Sequence, residues 1–227
     1  MSDALVEIFR QTRAVLLDFD GPVCKVFAGL PAPEVAARLK RLLQDEGAEL
    51  PRDVVELDDP LKVLRRTADF APELVDKVEA ALMANEIEAA DSAEITPGVR
   101  ELLAACADAG RPVVIVSNNS KPAIDRFLGR VELNGSVIGV VGRPTGNPGE
   151  MKPHPRSVLN ACEMAEVQPE EAVLIGDSGF DMEAAANAGA RSIAYANEPG
   201  KDVTLAKAGA DAVTDSMRKL AATVAAV

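Results

Sequence analysis

Residues 15–24, VLLDFDGPVC, set an apolar run, Val15-Leu16-Leu17, directly before two carboxylates, Asp18 and Asp20, and a Gly21-Pro22 turn. The run suits a strand buried on both faces. Carboxylates are costly to desolvate unless something compensates them. Asp18 and Asp20 therefore either stand in water at a strand end or hold a cation, and the rest of the chain decides between the two.

Runs of the same kind recur at 112–119 (PVVIVSNN), 136–143 (SVIGVVGR), 171–178 (EAVLIGDS), 191–197 (RSIAYAN) and, more weakly, 211–215 (DAVTD). Helical spacing fills the intervals near 98–109, 121–129, 155–165, 179–188 and 201–208, and the Ala-rich tail after Lys219 reads as a further helix. Strands alternating with helices predict an α/β fold, a Rossmann-like parallel sheet wound on both faces. Residues 31–93 carry helical spacing and almost no strand signal. They predict an inserted α-helical cap, entered near Val23–Gly29 and left near Asp91–Thr96. The expected division is a core of residues 1–22 and 93–227 and a cap of residues 23–92.

The 227-residue chain carries 24 Lys and Arg against 36 Asp and Glu, a formal charge of −12, and is 48% hydrophobic. This suits one large domain with a smaller insert around a real core. The charge disfavours non-specific binding to nucleic acid or to an anionic membrane, but leaves room for an anionic small substrate where a local cation reverses the field. No run approaches the ~20 apolar residues of a membrane span, and the opening MSDALVEIFRQTR lacks a signal-peptide apolar segment. Cys24, Cys106 and Cys162 are widely spaced and read as ordinary buried thiols, so a reducing cytoplasm is the expected setting. With no Trp and one Tyr, stacking platforms for single strands are not expected.

A parallel sheet presents all its carboxyl ends on one edge. That edge would gather Asp18 and Asp20, then Ser117, Asn118 and Asn119, then Asp177, Ser178 and Asp181, with Lys152 in the GEMKPHP loop between the last two groups. Hard oxygen ligands without a His cluster suit magnesium. A lysine with hydroxyl and amide donors opposite suits a phosphoryl group, and a carboxylate attacking phosphorus gives an aspartyl-phosphate.

On these motifs the chain resembles the haloacid dehalogenase superfamily, on its phosphatase side (phosphoglycolate phosphatase and β-phosphoglucomutase-like). DFDGPV resembles the first motif, VIVSNN the Ser/Thr-ended second, KPHP the lysine motif and GDSGFD the acidic fourth. The resemblance implies that Asp18 is the nucleophile. Asp20 protonates the leaving group and then activates water, and its backbone carbonyl binds Mg2+. Asp177 is a metal ligand assisted by Asp181, so the implied metal set is Asp18, Asp20, Asp177 and Asp181. Ser117, the Asn118 N–H and Lys152 bind the phosphate. The implied partner is a small phosphate ester. Opposite tasks ask for opposite protonation: the metal and Lys152 should hold the Asp18 pKa down, while Asp20 titrates higher. Pro22 departs from the pattern, standing where many relatives carry a residue with an N–H.

Plainer readings stand beside these. Ser117 and Asn119 could cap a helix, Lys152 could be a surface lysine, and Asp181 could complement a helix dipole. His154, the single histidine, reads as a loop residue, and Cys24 as packing. Lys62, Arg65 and Arg66 form a basic cluster that reads as a solvated helix face, with substrate contact as the alternative, and Asp58-Asp59-Pro60 reads as a turn that in relatives often faces the site. A magnesium-dependent phosphatase is the leading function. A phosphomutase is the alternative: resemblance to the β-phosphoglucomutase-like relatives implies a His with a nearby Lys at the cap entry, and residues 23–35 contain Lys25 but no His. A non-catalytic binding module on the same fold is the third reading. A dehalogenase proper is disfavoured by Asp20.

Overall fold

The computed structural model describes residues 3–227. Its strands are β1 (Ala14–Leu17), β2 (Cys24–Lys25), β3 (Glu94–Ile95), β4 (Val113–Val116), β5 (Gly139–Val141), β6 (Ala172–Gly176), β7 (Arg191–Tyr195) and β8 (Ala212–Thr214). Six of them form one sheet in the order β5-β4-β1-β6-β7-β8, all neighbours parallel. Period-two alternation sends Val15, Leu17, Val113, Ile115, Val173 and Ile175 into the apolar cluster on one face. Ala14, Leu16, Val114, Val116, Ala172 and Leu174 enter the cluster on the other. Both faces are covered, which is why these strands read as unbroken apolar runs rather than alternating ones.

The expected helices are present at Val99–Asp108, Lys121–Arg130, Arg156–Met164, Gly179–Ala188 and Lys201–Lys207, and the tail helix spans Met217–Val224. The 136–143 run pairs as only three residues, Gly139–Val141, at a half-buried sheet edge. From β1 the chain winds outward through β4 to β5, then returns past β1 to β6 and winds the other way. β1 and β6 therefore flank the point where the winding reverses, the place where open α/β sheets bind ligands.

The insert between β2 and β3 holds the helices Ala32–Asp45, Arg52–Val55, Pro60–Phe70 and Val75–Ser92. Val35, Leu39 and Leu43, then Val63, Leu64 and Thr67, then Val78 and Leu82 bury one stripe of each long helix at three- and four-residue spacing. The two connections to the core lie side by side. Cys24 pairs with Ile95 and Lys25 with Glu94 in an antiparallel ribbon, and the Thr96 N–H donates to the Val23 carbonyl at 2.9 Å. Sequence spacing shows nothing of this ribbon, because two residues carry no period. Asp59 caps the Pro60–Phe70 helix, its Oδ1 accepting from Leu61 N (2.9 Å) and Lys62 N (3.2 Å). Among the described residues no helix is long and apolar enough to cross a membrane, and all three cysteines are buried and free.

Candidate active site

β1 delivers Asp18. Its N–H extends the ladder to the Ile175 carbonyl at 2.9 Å, so the side chain stands at the carboxyl end of the sheet. A tight turn follows. The Phe19 carbonyl accepts from Val23 N and Cys24 N, both at 3.1 Å, and Gly21 N donates to the Cys24 carbonyl at 2.7 Å. Pro22 is buried inside this turn. Gly21 has φ +96°, and a Cβ there would lie 2.5 Å from the Asp177 carboxyl carbon. The β1 turn and the β6 acid share this space because residue 21 has no side chain. Asp20 accepts at Oδ1 from Val26 N (3.0 Å).

β6 delivers Asp177 and, one turn into the next helix, Asp181. Ser178 is the N-cap of Gly179–Ala188, and Asp181 closes the capping box by accepting from Ser178 N at 3.0 Å. The sequence offered Asp181 a helix role or a site role; it has both, because its other oxygen lies 2.5 Å from Lys152 Nζ. Lys152 is 2% exposed. Its ammonium also donates to Asp18 Oδ1 (2.8 Å) and to the Val116 carbonyl (3.0 Å). The surface-lysine reading is thereby excluded.

β4 delivers the loop Ser117-Asn118-Asn119. Asn118 and Lys152 exchange reciprocal bonds, Lys152 N to Asn118 Oδ1 at 2.8 Å and Asn118 Nδ2 to the Lys152 carbonyl at 3.2 Å. These groups line a cavity of 420 Å³ together with Asp20, Asp177, Ser178 and, from the insert, Leu57, Leu61 and Arg65. Of the basic trio on the Pro60–Phe70 helix, Lys62 pairs with Asp59 and Arg66 with Asp53 and Asp69. Lys62, Arg65 and Arg66 all line the cavity, so the trio faces the candidate site rather than solvent alone, and Arg65 is also held against the core. It donates to the Lys152 carbonyl at 2.8 Å and lies over the Phe180 ring at 5.2 Å. His154 is exposed, its Nδ1 accepting from Arg156 N, which agrees with a loop residue.

Asp18, Asp177 and Asp181 each present a carboxylate oxygen within 4.8 Å of the others. Lys152 faces Asp18 and Asp181 and the Lys201 ammonium faces Asp177, so three acids meet two cations and negative charge is in excess. From the protein's own groups, burial and the Asp181 charge push the Asp18 carboxyl well above its usual range, and Lys152 only partly opposes them. Burial raises Asp20 to about 6, against the Val26 N–H that favours its ionised form. Burial also raises Asp177. For Lys152 burial opposes the charge, but Asp18 and Asp181 outweigh it and raise the pKa. The expected order of the two opening acids includes a bound cation; from the protein's own groups alone both Asp18 and Asp20 are raised. Hard oxygen donors and surplus negative charge are what a divalent cation such as Mg2+ requires, so these residues fit one. The Asp20 carboxylate lies outside this cluster.

Sequence reasoning missed Lys201 and Asn197, which donate to Asp177 Oδ2 at 2.7 and 2.9 Å. It also missed Phe180, Glu86 and Arg143. Phe180 stands inside GDSGFD between its two acids; the others lie outside the four motifs, and only folding brings these distant segments to the same edge.

A family model described as haloacid dehalogenase-like hydrolase matches residues 12–189. The plasmid phosphoglycolate phosphatase of Cupriavidus necator is 30% identical over 223 residues, covering 92% of this chain and 91% of that one. The phosphoglycolate phosphatase of Nitrosospira multiformis is 29% identical, covering 84% and 87%. The fold is similar to that of CbbY from Rhodobacter sphaeroides, solved in complex with phosphate, with TM-score 0.66 and 21% identity over 92% of this chain and 96% of that one. The sheet order, the gathered acids and a family match across most of the sequence agree, and the chain belongs to the haloacid dehalogenase-like hydrolases.

Proposed function

We propose that the protein is a magnesium-dependent phosphatase that hydrolyses a small phosphorylated metabolite through an aspartyl-phosphate on Asp18. The observation that carries the reading is the buried Lys152 ammonium, 2.8 Å from Asp18 Oδ1, in one cavity with Ser117, Asn118 and Asp177. In the first step a carboxylate oxygen of Asp18 bonds to phosphorus as the ester P–O bond breaks, and Asp20 gives its proton to the leaving oxygen. In the second, Asp20 takes a proton from water as that water attacks phosphorus, releasing inorganic phosphate and restoring the Asp18 carboxylate. Lys152, Ser117 and the Asn118 N–H hold the oxygens of the transferring group. Asp18, Asp177 with Asp181, and the Asp20 carbonyl would hold Mg2+, which when bound neutralises the surplus charge and keeps Asp18 ionised. A value of about 6 for Asp20 suits a group that must give and then take a proton near neutrality.

Residues 23–92 act as a cap over a core of residues 1–22 and 93–227. Its Arg65 guanidinium, in the cavity wall, suits a substrate carrying a second anionic group, as the names of the phosphoglycolate phosphatase relatives suggest. The free thiols fit the reducing cytoplasm. The test is hydrolysis of an aryl phosphate and of a panel including phosphoglycolate, sugar phosphates and nucleotides, with Mg2+ and with EDTA. Turnover that needs Mg2+ and vanishes in Asp18→Asn is expected. Undiminished turnover in EDTA, or in folded Asp18→Asn, overturns the reading.

A further inference from the structure

Away from the catalytic acids, the most heavily bonded carboxylate belongs to a residue that no proposed step uses. Glu86, on the Val75–Ser92 helix, is completely buried. Its Oε1 accepts from Arg143 Nη1 (2.8 Å) and Asn119 Nδ2 (3.2 Å). Its Oε2 accepts from Ser120 N (3.0 Å) and Arg143 Nη2 (3.2 Å). Arg143, with a side chain 1% exposed, also donates from Nη1 to the Asn118 carbonyl (3.0 Å) and from Nε to Glu79 Oε1 (3.2 Å). Glu79 Oε2 in turn accepts from Gly146 N (2.6 Å). One helix of the insert therefore grips the loops after β4 and β5 through a buried ion cluster. Gly142 lets the β5 loop lie against the β4 loop: a Cβ there would stand 2.6 Å from Lys121 N. Two acids against one guanidinium make an expensive way to join a helix to a core, since an apolar contact of the same size is often more stable. Stability alone does not account for the cluster.

Its geometry does. The Asn118–Asn119 peptide is held at both ends, its carbonyl by Arg143 and its N–H by Ser117 Oγ (3.1 Å). Glu86 orients the Asn119 amide, whose Oδ1 takes the Ser117 hydroxyl at 3.1 Å. Among the described residues the preceding N–H, that of Asn118, has no protein acceptor, and Asn118 lines the cavity. The Asn118 side chain continues the same network to the Lys152 backbone. We propose that Glu86, from within the insert, and Arg143, from the loop after β5, are positioning residues that set the phosphate-binding loop and, through Asn118, the lysine beside Asp18. This rests on the phosphatase reading above. It also couples the Val75–Ser92 helix of the insert to the candidate site.

The test compares Glu86→Gln, Arg143→Lys and the apolar pair Glu86→Leu/Arg143→Met. Readouts are urea stability, kcat and KM on an aryl phosphate, and the affinity for inorganic phosphate by calorimetry. The apolar pair strands Glu79 and leaves the Ser120 N–H unpaired, so it should fold with lower urea stability than the wild type. It should also lose about 10–100-fold in kcat/KM and bind phosphate more weakly, because the loop is no longer aimed. Arg143→Lys keeps the charge but not the fork, and should show the same loss with less destabilisation. Any of these variants that folds and retains wild-type kcat/KM and phosphate affinity overturns the proposal and leaves the cluster a structural joint. Should the wild-type protein itself neither bind phosphate nor turn over the ester, the phosphatase reading fails instead.

Discussion

Replacing Lys152 with Met separates its two consequences. The ammonium is buried between Asp18 at 2.8 Å and Asp181 at 2.5 Å, and a third acid, Asp177, belongs to the same cluster. Removing one partner of a buried pair costs about 3–5 kcal/mol, because the partner's charge stays behind uncompensated. Here the abandoned carboxyls have an escape, which is to take up a proton. A carboxyl whose folded pKa lies above its unfolded value keeps a proton that the unfolded chain has released. Stability then falls as pH rises between the two values, by up to about 1.4 kcal/mol per pH unit for each such proton. Asp18 is already raised with Lys152 in place, so the variant should show a steeper decline than the wild type. The full loss of about 3–5 kcal/mol is expected at pH 8 in EDTA, with a much smaller one at pH 5. The protein has no Trp, so urea unfolding is followed by far-UV circular dichroism. Turnover in Mg2+ should fall by about 10²–10³, the usual effect of removing one preorganised donor from a developing negative charge. A variant within about 1 kcal/mol of the wild type at pH 8 would refute the charge argument, being an ordinary surface effect. Wild-type kcat in a folded variant would remove Lys152 from the chemistry.

Asp20 is raised to about 6, so its ionisation opposes folding above that pH; Asp20→Asn should stabilise the EDTA-treated protein at pH 8 and not at pH 4, and a pH-independent difference contradicts the assignment. Arg65→Met should raise KM for phosphate esters bearing a carboxylate more than for an aryl phosphate, since the guanidinium lies in the cavity wall; equal changes would take it out of substrate recognition. Lys201 holds a positive charge 2.7 Å from Asp177 Oδ2, so Lys201→Met should tighten Mg2+ binding about tenfold by calorimetry; weaker binding would show that its main role is to orient Asp177. Burial pushes the Cys24 thiol far above its usual range, with Asp20 and Asp18 adding to the effect, so the native protein should resist iodoacetamide at pH 8 at this residue and react in urea; rapid native labelling contradicts that.

The sheet and the acids at its edge were legible in the sequence because both leave local marks. A strand covered on both faces must be apolar without interruption, as Val113–Val116 and Ala172–Gly176 are. Acids gathered at the carboxyl edge must follow such strands directly, as Asp18 and Asp177 do, and the helical spacing of the insert is likewise a one-dimensional pattern. Other features depended on which groups meet, and a chain carries no local record of that. Arg65, Lys62 and Arg66 look alike on one helix, yet only Arg65 reaches the Lys152 carbonyl, because the helix turns that face toward the core. Glu86 reads as one more acid in a charged helix until Arg143, 57 residues later, closes around it. The raised protonation of Asp18 and Asp20 likewise arises in three dimensions. Their residue type and spacing do not show it, whereas burial and the approach of Asp181 and Lys152 arise only when distant strand ends converge. Residue type and period determine which elements form and which chemistry the edge can hold. Desolvation and through-space charge, which fall off with distance in space and not along the chain, determine which side chain of each kind acts.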